Sequence, residues 1–203
     1  MRKKFPEIEL TVDKLRHDGY AIGKYGERDV YVRGALPGEK VRAKVIKKRR
    51  GRVWAEAIEI LEASTHRIPP QDPPTLHSGV SWQIMDFEYE NQQKQEIVKD
   101  LFQSEGLDIK LPEIIYPTSQ WEYRNKVEYS FWIDEDGLSY AFHRQGTKGG
   151  KIPLEETKIL PAAVNRVAKA VLQWLRVENL SKKELKMVQF RYSFSVKEVF
   201  MIL

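Results

Sequence analysis

The chain has 203 residues and no cysteine. That absence removes disulfides, thiolate metal sites and a cysteine nucleophile from this chain. Histidine is scarce, with only His17, His66, His77 and His143. Four scattered imidazoles without thiolates do not make a zinc site. No apolar run approaches the ~18 residues that a membrane helix needs. The opening "MRKKFPEIEL" is basic but leads into no apolar stretch, so it does not read as a secretory signal. A cytoplasmic protein with no membrane partner is the expectation. Catalytic signatures are missing as well: there is no G-x-G-x-x-G after a strand, no H-E-x-x-H and no G-x-S-x-G. The pair Glu155/Glu156 has no context that would mark it as an acid–base couple.

What is present is positive charge, placed unevenly. Residues 1–62 hold 16 lysines and arginines against 10 acidic residues, a net of +6. The remaining 141 residues hold 18 against 19, a net of −1. A basic excess confined to the first third points to a polyanion, nucleic acid ahead of a membrane surface, although a charged solvated face has the same composition.

The first third reads as all β. In "IELTVDKL", Ile8, Leu10 and Val12 alternate with Glu9, Thr11 and Asp13. "GYAIGKYGERDVYVRG" offers two short strands around Gly26–Asp29. Pro37-Gly38 is a type II turn signal, because proline presets the first central φ and glycine allows the positive second one. "KVRAKVIKKRRGRVWAEAIEIL" reads as a long hairpin with Val41, Ala43 and Val45 on one face and Gly51 at the turn. Five short strands in so little chain predict a small closed barrel of the OB type, since closure removes exposed sheet edges.

Residues 63–85 read as a linker with Pro69, Pro70, Pro73 and Pro74. Then the pattern changes. "DFEYENQQKQEIVKDLFQSEG" predicts a helix with Asp86 as N-cap, a buried stripe of Ile97, Val98, Leu101 and Phe102, and Gly106 past its end. "EYRNKVEYSFWIDEDGLSYAFHRQG" predicts a hairpin turning at Gly137. "PAAVNRVAKAVLQWLRV" predicts a second helix opened by Pro161, with Val164, Val167, Ala168, Val171, Leu172 and Leu175 at helical spacing. "LKMVQFRYSFS" and "VKEVFMIL" predict two closing strands. The expected class is α+β: a five-stranded barrel over 1–62, the linker over 63–85, and an α+β domain with an antiparallel sheet over 86–203. Ending on Phe200–Leu203 with no cap or polar tail predicts a fragment of a longer protein, because termini ordinarily lie frayed at the surface.

Three stretches carry candidate functional residues. Lys47, Lys48, Arg49, Arg50 and Arg52 cluster at the predicted hairpin tip beside Trp54, a combination of phosphate contacts with an aromatic for stacking. The same residues also suit a solvated turn. In "WEYRNKVEYSF", a strand over 121–131 sets Arg124 and Lys126 on one face and Tyr123, Asn125 and Val127 on the other. Asn125 would read a base edge while the cations hold phosphates. Residue types alone favour an edge strand with packed aromatics and water-facing charges. In "FHRQGTKGGK", His143, Arg144 and Lys148 lie among glycines that let backbone N–H groups approach a phosphate, and a mobile surface loop fits equally well. The P-loop spacing is absent.

Together, several blocks resemble a known family. "HDGYAIGKYG", "VYVRGALPGE" and "AEAIEILEAS" resemble a TRAM domain. "SWQIMDFEYENQQKQEIV", "WEYRNKVEYSF" and "FHRQGT" are similar to the central region of the RNA uracil-C5 methyltransferases. The resemblance covers nearly the whole chain, with its blocks in order. It implies RNA as partner (23S rRNA or tRNA), a monomer, and S-adenosylmethionine bound by a Rossmann-like domain that this chain lacks. In the family a cysteine attacks C6 of the uracil, the methyl group passes to C5, and a carboxylate removes the C5 proton. A chain without cysteine is therefore expected to bind RNA and not methylate it alone. The resemblance also implies a [4Fe–4S] loop at C-x5-C-x2-C, with a fourth cysteine later. Here those positions hold Asp72, Ser78, Ser81 and, near the fourth, Thr157. Hydroxyls and a carboxylate are poor substitutes for thiolates, so no cluster is expected. Prolines and the packing of Trp82, Ile84 and Met85 would brace that loop instead. Two alternatives remain open: a non-catalytic RNA-binding TRAM module, and a TRAM-bearing methylthiotransferase, which would need cluster cysteines upstream of the barrel.

Overall fold

The computed structural model describes residues 5–178 and 185–203. Five strands form a closed barrel: β1 (Glu7–Leu15), β2 (Ala21–Tyr25), β3 (Arg28–Arg33), β4 (Lys40–Arg49) and β5 (Arg52–Glu62), in the order β1-β2-β3-β5-β4. The alternating apolar residues fill it. Ile8, Leu10, Val12, Val41, Ala43 and Val45 are all buried. These aliphatic side chains form the barrel core, and burying each of the larger ones stabilises by about 1.5–3 kcal/mol. Two glycines are fixed by geometry. At Gly23 a Cβ would lie 2.3 Å from the Thr11 carbonyl, where β1 bulges over β2. Gly38 adopts φ +84, and the Glu39 N–H donates to the Leu36 carbonyl at 3.1 Å, closing the Pro37-Gly38 turn.

Contacts group the chain as Met1–Pro70 with Ser81–Tyr116, and Gln71–Val80 with Pro117–Leu203. The predicted linker is therefore divided, and the first helix falls with the barrel. Its two arms are ordered by local pairing. Arg67 bridges Met85, Ile68 N–H donates to the Ile84 carbonyl, and Asp86 N–H donates to the His66 carbonyl. Arg67 also clamps the fully buried Glu39 with Nε and Nη2. Leu36 and Ser64 N–H donate to the same carboxylate, so this buried pair is fully satisfied.

Helix α1 (Phe87–Ser104) begins as its sequence predicts. The Asp86 carboxylate accepts from Tyr89 N–H at 2.8 Å, and Gly106 at φ +75 follows the helix end. The predicted buried stripe is not found. Val98, Leu101 and Phe102 are exposed, and Asn91 is the one fully buried residue of the helix. Periodicity marks an apolar face but does not say that anything covers it.

The second unit is an antiparallel sheet: β6 (Lys126–Asp134), β7 (Gly137–His143), β8 (Lys151–Leu154), β9 (Met187–Ser193) and β10 (Glu198–Ile202), in the order β10-β9-β6-β7-β8. Strand β8 carries no strand signal in the sequence, because Pro153 and the glycines before it read as loop. It is an edge strand, where proline is tolerated. Helix α2 (Ala162–Glu178) buries Val164, Ala168, Leu172 and Leu175, whereas Val167 is 36% exposed. The core between sheet and helix is aromatic. Tyr129 stacks on Tyr140 at 4.6 Å and on Phe142 at 5.1 Å, and Phe190 meets both tyrosines edge-on. The Tyr140 hydroxyl donates to the Ala168 carbonyl at 2.9 Å, tying sheet to helix. Burial pushes both phenols well above their ordinary range. No helix among the described residues is long and apolar enough to cross a membrane.

Candidate nucleic-acid interface

The β4–β5 hairpin closes on two residues in the left-handed region, Arg50 at φ +50 and Gly51 at φ +77. That geometry suits a type I′ hairpin, but an arginine there is strained where asparagine or glycine would not be. It sets Arg49 directly opposite Arg52, Lys48 opposite Val53 and Lys47 opposite Trp54. All five cations are exposed, and among the described residues none has a carboxylate within ion-pair distance. Like charges facing each other across a hairpin destabilise it. Arg49, Arg50, Arg52 and Trp54 line one shallow cleft.

The tertiary structure adds two residues that the sequence did not suggest. Strand β3 runs parallel to β5 and sets Tyr31 beside Trp54, ring centroids 5.6 Å apart. Lys47 Nζ lies 5.2 Å from the Trp54 ring centre and the Arg16 guanidinium 4.7 Å from that of Tyr31. The result is a row of cation, indole, phenol and cation along the barrel wall, in which Trp54 is half-buried and Tyr31 is buried. Each cation–ring contact at an exposed site contributes about 0.5–1 kcal/mol. No local signal marks Tyr31, because its partner Trp54 is brought beside it only by the parallel pairing of β3 with β5.

In the second unit, a cleft of about 380 Å³ brings together Arg124, Lys126 and His143 with Ser78 and Gly79. Sequence placed Arg124 and Lys126 on one face of a strand. In fact β6 begins at Lys126, and Arg124 and Asn125 precede it in irregular chain. Both cations still reach the cleft, because Arg124 N–H donates to the Ile159 carbonyl and the Asn125 carbonyl accepts from Tyr192 N–H. The Arg124 guanidinium lies 6.0 Å from the half-exposed Tyr123 ring. Asn125 is exposed. Lys151 Nζ reaches His143 Nε2 at 2.8 Å and Ser130 Oγ at 2.7 Å. Of the glycine-rich stretch, only its first two residues, Phe142 and His143, line the cleft. Arg144 and Lys148 do not, since the segment folds on itself through Arg144 N–H to the Gly150 carbonyl and Thr147 Oγ1 to the Arg144 carbonyl.

The positions equated with cluster ligands are also resolved. Asp72 and Thr157 meet: the Thr157 hydroxyl donates to Asp72 Oδ2, and Lys158 N–H donates to the same oxygen at 3.0 Å. Asn165 secures Thr157 in turn, its Oδ1 accepting from Thr157 N–H and its Nδ2 donating to the Thr157 carbonyl. Ser78 Oγ donates to the Thr75 carbonyl at 3.3 Å. Asp72 and Thr157 engage each other and Ser78 engages backbone carbonyls, and such hard oxygens do not fit an iron–sulfur cluster, whose irons take thiolates. The loop is braced by a buried polar knot rather than by prolines and apolar contacts alone, although Ile84 and Met85 are buried and Trp82 is half-buried.

Comparison with known proteins decides the family. The family described as tRNA (Uracil-5-)-methyltransferase matches residues 86–203, and the TRAM domain matches residues 2–58. The chain belongs to the tRNA (uracil-5-)-methyltransferase family. An uncharacterized RNA methyltransferase of Clostridium tetani is 28% identical over 182 residues, 88% of this chain and 40% of that protein. One from Listeria monocytogenes is 31% identical over 147 residues, 70% of this chain and 32% of its own. A third, from Bacillus cereus, is 26% identical across 96% of this chain and 44% of its own length. The chain thus spans less than half the length of these methyltransferase relatives. Its fold resembles that of the Pyrococcus abyssi tRNA (uracil-54, C5)-methyltransferase solved with S-adenosyl-L-homocysteine, with TM-score 0.64, 15% identity, 95% of this chain and 44% of that one.

Proposed function

We propose that this chain grips RNA for an RNA (uracil-C5)-methyltransferase acting on 23S rRNA or tRNA, and that the protein carrying it is cytoplasmic and monomeric. The observation that carries this reading is the uncompensated hairpin tip: five cations with no carboxylate partner among the described residues, facing one another beside Trp54. Family membership supplies the polyanion that would relieve it. S-adenosylmethionine, when bound elsewhere in the whole protein, supplies the methyl group. The chain has no cysteine, so the covalent attack on C6 that the family resemblance implies falls to a residue outside it. The Arg124–Lys126–His143 cleft forms a second phosphate grip, and Asn125 and Tyr123 beside it meet unstacked bases.

Binding of a uridine-containing rRNA or tRNA hairpin, titrated across ionic strength, tests this. Each phosphate contact steepens the salt dependence by close to one unit of slope, through counterion release. Replacing Lys47, Lys48, Arg49 and Arg50 by alanine flattens the slope by about three to four units. An unchanged slope overturns the tip as a binding surface. Release of C5 tritium from uridine-labelled 23S rRNA or tRNA by the whole protein then separates the two RNAs. Tight binding without release from either would leave a non-catalytic RNA-binding module.

A further inference from the structure

The open mouth of the barrel is a second feature of this unit, separate from the tip cleft. Tyr25, Arg28 and Lys48 rim a cavity of about 570 Å³ floored by Val30, Val45 and Val53. These three valines belong to the barrel core and meet the hollow only with their outermost atoms, at 1%, 2% and 6% exposure. Tyr25 is 53% exposed, an aromatic ring standing at the lip of an apolar hollow. Arg28 and Lys48 are exposed and have no carboxylate within ion-pair distance among the described residues. A ligand suited to these walls is flat, apolar on its faces and attached to an anion. Glu7 and Glu27 stand on the same rim. Carboxylates only accept hydrogen bonds, so they repel a phosphate from the hollow and favour a ligand edge that carries N–H groups. Lys48 belongs to the hairpin that carries the tip cations, so a strand held there by its phosphates passes the mouth.

We propose that the barrel mouth takes one unstacked, amino-bearing nucleobase of single-stranded RNA. The base stacks against Tyr25 over the valine floor, its amino edge donates to Glu27 or Glu7, and its phosphate lies on Arg28 and Lys48. The proposal rests on the RNA-binding reading and adds a base subsite to it. Uracil, with one N–H and two carbonyls, is the poorer fit to an acceptor-lined rim.

The test uses the intact chain and two RNA hexamers, five uridines with either one adenosine or an abasic residue at the same position. Tyr25→Ala should weaken the adenosine hexamer about tenfold and leave the abasic one within a factor of two, the size expected for one base–aromatic stack. Tyr25→Phe should restore the difference. Glu27→Gln together with Glu7→Gln should reduce the preference for the adenosine hexamer over hexauridine. Methyl signals of Val30, Val45 and Val53 should shift with the adenosine hexamer and not with the abasic one. Equal weakening of both hexamers by Tyr25→Ala, or methyl shifts that do not need the base, overturns the subsite. The variant Lys47→Ala/Arg49→Ala/Arg50→Ala separates the two readings. If it weakens both hexamers while Tyr25→Ala discriminates neither, only the subsite falls. If it leaves both unchanged, the tip falls as the RNA grip, and the subsite then stands or falls with the discrimination by Tyr25→Ala.

Discussion

Asp72 is 5% exposed, and its Oδ2 accepts from the Thr157 hydroxyl and from Lys158 N–H. A buried carboxylate that loses a donor keeps its desolvation cost, so truncating the partner is more damaging than the bond is worth. Thr157→Val is therefore expected to lower stability by about 1.5–3 kcal/mol in urea unfolding, the range for hydrogen bonds to charged groups. Thr157→Ser, which keeps the hydroxyl, should recover most of it. Equal losses in the two variants would show that the threonine methyl, and not the knot, holds the loop. At the N-terminus of α1, partial burial pushes the Asp86 carboxyl up, but hydrogen bonds from Tyr89 N–H and His66, and the charge of His66, outweigh it and hold it below the usual range. A carboxyl depressed on folding contributes stability above its unfolded pKa of about 4, and that contribution fades as pH falls through the folded value. Asp86→Ala should cost about 1 kcal/mol at pH 7, the value of a helix cap, and close to nothing at pH 2. A loss that persists at pH 2 would move the effect from the cap to packing.

At the scale of elements, the β4–β5 hairpin sets stability against binding. Arg49 and Arg52 face each other at its end. Replacing Arg52 by Glu converts a repulsive cross-strand pair into an attractive one and should stabilise the barrel by about 0.2–1 kcal/mol. The same change removes one cation and adds an anion, so RNA affinity should fall and the salt slope flatten. Thermal unfolding and RNA titration on one preparation check both signs. A variant that gains stability without losing affinity would show that Arg52 faces water and not RNA. Helix α1 gives the opposite lesson. Its cap and end were legible because they are local backbone chemistry. Its stripe of Val98, Leu101 and Phe102 was legible as a pattern, but its exposure was not.

Across the whole molecule, two cationic sites lie in different compact units, the tip in the first and the Arg124–Lys126–His143 cleft in the second. If both hold the same RNA, losses from Lys47→Ala/Arg49→Ala and from Arg124→Ala/Lys126→Ala should add in log affinity, as independent sites do, to within about 0.5 kcal/mol. A combined variant no weaker than the worse single one would show that only one site meets RNA. The barrel was readable because Ile8, Leu10, Val12, Val41, Ala43 and Val45 alternate, and because Pro37-Gly38 and Gly51 admit only a few turn geometries. Residue order thereby determined strands, turns, the helix cap and the basic tip, all of which are set within a few residues by φ/ψ sterics and side-chain period. Only the tertiary structure decided that Tyr31 lies beside Trp54, that Arg67 clamps Glu39, and that Asp72 reaches Thr157 across 85 residues. Those meetings depend on which strands pair and how the sheets close. That choice is made by the summed burial of many distant side chains, so no short stretch of sequence carries it.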